Sequence, residues 1–180
     1  MDLKDLDNKR ILHIDTSGKL HEKKKTGISF KVIKSNMHKG LVLSYKLKKE
    51  LKRDLDAHHD WARIYAICIY YLIKDELNNF DVVIICGDEN YNYTKKYLDL
   101  LFNNNLLYSN KEIHSLYELR ELTGKKRLKS YANNIAGAYR KRALKTLRKQ
   151  QEGRELYPIR ISYKKIKDKW FWIEEMLKKT

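Results

Sequence analysis

Asp15 and Asp88 each follow an apolar run that reads as a strand, over residues 11–15 and 81–86. On neighbouring strands the two carboxylates emerge at one edge of a sheet. Two carboxylates a few ångströms apart repel each other unless a divalent cation lies between them. Pairs of Mg²⁺ or Mn²⁺ held this way, about 3.5–4 Å apart, activate water and stabilise the leaving oxygen in phosphodiester cleavage. Taken singly, either aspartate is an ordinary turn residue. Taken as a pair after two apolar strands, they point to a metal.

Other reactive side chains are less informative. His58-His59-Asp60 resembles a metal cluster in composition, but adjacent residues on a helix point about 100° apart, so the two rings do not chelate one ion easily. His13 alternates with Asp15 on one strand face, as a proton shuttle would, and equally as a core histidine would. Cys68 and Cys86 both lie in apolar runs and read as reduced core residues of an intracellular, cytoplasmic protein. There is no Gly-rich phosphate loop, nucleophile elbow or Cys/His zinc spacing.

The charge is uneven. The 180 residues carry a net charge of +16, made up of +6 over residues 1–60, −2 over 61–110 and +12 over 111–180. Ten basic residues and no acid fall between Lys125 and Lys149, including Lys125, Lys126, Arg127, Arg140, Lys141, Lys145, Arg148 and Lys149. Such a field concentrates polyanions, and lysines and arginines at helical spacing can track a phosphate backbone. A plain lysine-rich solvated surface is the alternative, because lysine is the less selective phosphate partner. Tyr157, Tyr163, Trp170 and Trp172 in the basic tail are candidates for stacking on bases or, more simply, for anchoring a terminal helix. The longest apolar run, residues 64–73, is too short to span a membrane, and the first residues lack a basic segment followed by an apolar one.

The elements that must position these residues follow from hydrophobic period. Residues 11–15, 26–33 and 41–47 alternate or run apolar and are separated by turn residues, which predicts an antiparallel meander. Residues 51–77 lack Gly and Pro and read as one long helix with an apolar middle. A buried strand over 81–86 follows, then a helix over 93–102. Residues 112–122 hold a short strand or helix, and a helix covers 130–151. The tail carries a strand over 159–163 and a helix over 167–178. Three antiparallel strands, a crossover helix and a parallel fourth strand make an α/β domain with a mixed sheet, the topology of the ribonuclease-H-like fold. That domain is expected over residues 1–150, with a basic extension over 151–180 packed on it.

Short islands carry a family resemblance. Ile14-Asp15-Thr16-Ser17-Gly18 resembles the Ile-Asp-Glu-Ser-Gly opening of an uncharacterised ribonuclease-H-like family. Glu50-Leu51-Lys52 is similar to that family's Glu-x-Lys element, and residues 132–140, Ala-Asn-Asn-Ile-Ala-Gly-Ala-Tyr-Arg, to its later helix motif. The resemblance implies a two-metal site of Asp15, Glu50, Asp88 and Asn133 with Mg²⁺ or Mn²⁺, and Lys52 at the scissile phosphate. Asn133 departs from the family pattern, which has Asp there; a carboxamide ligates without bringing charge. Asp88-Glu89-Asn90-Tyr91 is similar to the Asp-Ser-Gln-Tyr of ribonuclease H itself, where the second acid lies on the first helix, which makes Asp60 the alternate to Glu50. The expected function is therefore nucleic-acid binding with metal-dependent phosphodiester hydrolysis. The alternatives are a non-catalytic nucleic-acid-binding module on a degenerate nuclease scaffold and a PIN-type ribonuclease.

Overall fold

A computed structural model describes residues 8–86, 89–118, 130–141 and 158–179, with His58 described by its backbone alone. Three strands open the chain: β1 (Ile11–Ser17), β2 (Thr26–Val32) and β3 (His38–Leu43). Their period-two alternation sends Leu12, Ile14, Ile28, Phe30, Leu41 and Leu43 to one face of the sheet, where all six are fully buried. β1 pairs antiparallel with β2, setting Asp15 opposite Ser29, and β2 pairs antiparallel with β3.

Ser44 then caps α1 (Tyr45–Asp54), its hydroxyl accepting from the Leu47 N–H at 3.1 Å. The helix stops at Asp54. Asp56 takes a left-handed conformation (φ 51°), a 3-10 turn covers Ala57–His59, and Asp60 caps a new helix, α2 (Trp61–Ile73). The single helix expected over 51–77 is therefore two. The break needs no Gly or Pro because an aspartate is among the few other residues that tolerate this conformation.

A second 3-10 turn (Leu77–Asn79) leads to β4 (Val82–Ile85), which lies parallel to β1. Then come α3 (Tyr91–Leu101), α4 (Leu106–Ser109) and β5 (Glu112–Ser115), the last parallel to β4. α5 (Asn133–Lys141) and α6 (Tyr163–Leu177) follow. Among the described residues the sheet has five strands in the order β3-β2-β1-β4-β5. The strand expected over 159–163 reduces to one bridge between Ile159 and Leu41, because Ser162 caps α6 and draws Tyr163 into the helix.

α2 lies on the apolar face of the sheet and is buried nearly all round, since α3 and α6 cover its outer side. Arg63 is the fastener there. Its guanidinium sits 4.1 Å from the Trp170 ring centre and 5.3 Å from that of Tyr97, and it pairs with Asp60 and Glu174. Trp170 is thus a core anchor of α6.

α5 crosses the opposite face over β1, β2 and β3, burying Ala132, Ile135, Ala136 and Tyr139. Its close approach depends on glycines of the sheet. A Cβ at Gly27 would lie 2.2 Å from the Ala136 carbonyl oxygen, and one at Gly40 would lie 2.2 Å from the Tyr139 ring. Gly137, the glycine of the helix itself, meets only the Ser17 hydroxyl at 3.6 Å. Both cysteines are buried and unbridged. No helix among the described residues is long and apolar enough to cross a membrane.

Candidate functional site

β1 and β4 run parallel, and a cleft of about 1340 Å³ opens beyond their C-terminal ends. Asp15 reaches it from β1, and Cys86 and Glu89 from the end of β4. Ser115 and Glu118 border it beyond β5, Asn133 and Arg140 come from α5, and Lys19 and Glu22 come from the β1–β2 loop. Crevices outside the carboxyl ends of parallel strands are where α/β sheets bind ligands.

The strand ends are held by phenols. Tyr65, buried in α2, donates its hydroxyl to the Cys86 carbonyl oxygen at 2.6 Å. Burial pushes its pKa well up, and the nearby Asp15 carboxylate, Cys86 and the Glu89 carboxylate add to the shift. Tyr91, the first residue of α3, donates to the Ile113 carbonyl oxygen at 2.8 Å and fixes the end of β5. Here too burial raises the pKa, with Glu118 contributing.

Asp15 is half-buried, and one of its oxygens accepts from the Thr16 N–H at 2.7 Å, which restricts the carboxylate's orientation. Glu118 forms a reciprocal pair with Ser115: the Ser115 N–H donates to a Glu118 carboxylate oxygen at 2.7 Å, and the Glu118 N–H donates to the Ser115 hydroxyl at 3.0 Å. This capping box is written in the sequence as Ser115-Leu116-Tyr117-Glu118. Glu118 and the cleft carboxylate Glu89 join the site without being among the candidate residues of the sequence.

The residues singled out from sequence fall into three groups. Asp15, Asn133 and Arg140 share the cleft, and Lys141 lies exposed one residue beyond Arg140. Glu50, Lys52 and Asp60 do not line it. Glu50 is half-buried on α1, near Arg53 and Tyr163, and Lys52 is exposed. Asp60 is committed elsewhere: it caps α2, pairs with Arg63 Nε at 2.9 Å and accepts from the Tyr97 hydroxyl at 2.7 Å. Asp88, Lys125, Lys126, Arg127, Lys145, Arg148 and Lys149 lie outside the described residues.

His13 is buried, and its Nδ1 has no hydrogen-bond partner. Burial drives its pKa down to about 4, so it is a neutral core ring at ordinary pH. It packs edge-on against Tyr131, with ring centres 5.3 Å apart, and does not line the cleft.

Carboxylates and a carboxamide give the cleft hard oxygen donors, the type that suits Mg²⁺ or Mn²⁺. Among the described residues, no group of three His, Cys, Asp or Glu side chains is gathered closely enough to hold an ion. Asp15, Glu89 and Asn133 line the same cleft and bring oxygen donors to its wall. Arg140 and Lys19 supply positive charge beside it.

Comparison with protein-family models, with curated proteins and with solved structures finds no match, so the functional reading rests on the residues themselves.

Proposed function

We propose that the chain is a ribonuclease-H-like protein that binds nucleic acid and hydrolyses its phosphodiester bonds with Mg²⁺ or Mn²⁺. The observation that carries this reading is the position of Asp15. It stands on the central strand β1, next to the parallel β4, and faces a cleft that also holds Glu89, Asn133 and Arg140. Three antiparallel strands, a crossover helix and a parallel fourth strand are the topology this reading requires.

Asp15, Glu89 and Asn133 are the described residues that would hold the cation, with Asp88 as a further ligand from the sequence motif. A divalent cation supplies Lewis-acid stabilisation of charge on a phosphoryl group. Asp15 presents a carboxylate steadied by the Thr16 N–H. Arg140 and Lys19 attract and orient a phosphate at the cleft wall. Tyr65 acts through the backbone, holding the end of β4 against the base of the cleft.

The test is incubation of the purified protein with labelled DNA, RNA and hybrid duplex in Mn²⁺ or Mg²⁺, beside an Asp15→Asn plus Asp88→Asn control. Metal-dependent cleavage by the wild type alone is the expected result. Equal traces from both proteins would remove the hydrolytic reading.

A second reading, a non-catalytic nucleic-acid-binding module, draws support from Asn133, an uncharged amide where the family pattern has an acid. Salt-dependent binding without metal-dependent turnover would select it. A PIN-type ribonuclease needs helices where β2 and β3 lie, and these two strands speak against it.

A further inference from the structure

A second, shallower depression of about 450 Å³ adjoins the cleft. It is lined by Glu22, Lys23, Lys24, Lys25, Tyr45 and Arg140, and it shares Glu22 and Arg140 with the cleft itself. The three lysines are exposed and consecutive on the β1–β2 loop, and Tyr45 at the start of α1 is 44% exposed. We propose that this lip binds an unpaired nucleic-acid strand, with phosphates along Lys23, Lys24, Lys25 and Arg140 and a base stacked on Tyr45.

The loop that carries the lysines is anchored at both ends. The Lys19 carbonyl oxygen accepts from the Thr26 hydroxyl at 2.9 Å and from Lys48 Nζ at 3.2 Å, and Lys48 Nζ also donates to the Thr26 hydroxyl at 2.9 Å. Lys48 and Thr26 are both buried. At Gly18, where the loop leaves β1, φ is +81°, and a Cβ would sit 2.8 Å from Nη1 of Arg140. The loop is therefore held in a defined place relative to Arg140, which with Glu22 is common to both depressions.

A run of cations with an exposed aromatic ring among them suits a single strand better than a duplex. Phosphates of either form satisfy the cations, but only an unpaired base offers a free face to a tyrosine ring. An acidic protein segment would use the lysines and leave the ring without a stacking partner. The inference deepens the nuclease reading and rests on it for one point: a strand lying on the lip continues past Arg140 toward Asp15.

The test separates binding from cleavage. Fluorescence anisotropy in EDTA follows labelled single-stranded DNA and RNA of about 12 nucleotides, and the matching duplex. Single strands should bind more tightly than duplex. Tyr45→Ala should weaken single-strand binding by roughly 5- to 150-fold, the range expected for one stacked base, and Tyr45→Trp should restore it. The triple change of Lys23, Lys24 and Lys25 to Ala should lower the slope of log affinity against log salt by about 2. Equal affinity for duplex with no effect of Tyr45→Ala overturns the proposal, as does competition by polyglutamate as strong as by oligonucleotide. Single-strand binding that needs Tyr45, without cleavage in Mn²⁺, keeps the lip and removes the hydrolytic reading. Cleavage with binding insensitive to Tyr45 and the lysines does the reverse.

Discussion

The Tyr65 hydroxyl donates to the Cys86 carbonyl oxygen at 2.6 Å, tying the first half of the buried helix α2 to the residue that follows β4 and lines the cleft. The hydroxyl is fully enclosed, and its electrostatic neighbours are the cleft carboxylates Asp15 and Glu89. One hydrogen bond thus joins the apolar core to the proposed catalytic edge.

Tyr65→Phe keeps the ring and removes that donor. The Cys86 carbonyl loses this donor, at a cost of about 1–3 kcal/mol. Urea denaturation should show that loss. Any metal-dependent cleavage should fall in the folded variant as well, because Cys86 itself lines the cleft with Asp15 and Glu89.

The loop anchor makes a separate prediction. Thr26→Val leaves buried Lys48 Nζ with one acceptor fewer and removes a donor from the Lys19 carbonyl. Stability should drop by about 1–3 kcal/mol, read from the denaturant midpoint, whereas Thr26→Ser should keep most of it.

Close packing of α5 on the sheet predicts intolerance at two glycines. Gly27→Ala sets a methyl against the Ala136 carbonyl, a backbone atom that moves only with the helix. Gly40→Ala drives one into the Tyr139 ring. Each should destabilise by about 1–3 kcal/mol, seen as a lower Tm. Gly137→Ala, with only the Ser17 hydroxyl at 3.6 Å, should be neutral or slightly stabilising.

His13 predicts a pH dependence. Its folded pKa of about 4 lies below the ordinary histidine value of 6.5. As pH falls from 6.5 to 4 the unfolded chain takes up a proton that the folded chain does not. Stability is therefore full above 6.5 and declines through this window, by about 2–4 kcal/mol in total. His13→Leu should flatten the slope of stability against pH between these limits, measured by urea titration at several pH values.

Much of the fold was legible because its signals are local. The alternation Ile28-Ser29-Phe30-Lys31-Val32 gave β2, and the uninterrupted run from Ile64 to Ile73 gave the buried helix. The break between α1 and α2 was not legible, since Asp56 takes a left-handed conformation that no Gly or Pro announces. Asp60 shows why site residues are harder to read. Its place on the first long helix, where ribonuclease H carries its second acid, suggested a ligand, but a helix N-terminus, Arg63 and Tyr97 consume its oxygens, and only tertiary packing brings Tyr97 there. Asp15 was readable because strand order alone places it. The capping-box pattern of Ser115 and Glu118 is present in the sequence, but the place of Glu118 at the cleft depends on β5, a strand of four residues with no distinct period.

The most direct measurement of the central claim is calorimetric titration of Mn²⁺ into the wild type and Asp15→Asn, with the Tm of both recorded. Asparagine keeps an oxygen for the Thr16 N–H, so the fold should be undisturbed. The wild type should bind Mn²⁺, and the variant should bind it about tenfold more weakly or worse at an unchanged Tm. Equal binding by the two folded proteins, or no binding by the wild type, would contradict the assignment of Asp15 as a metal ligand.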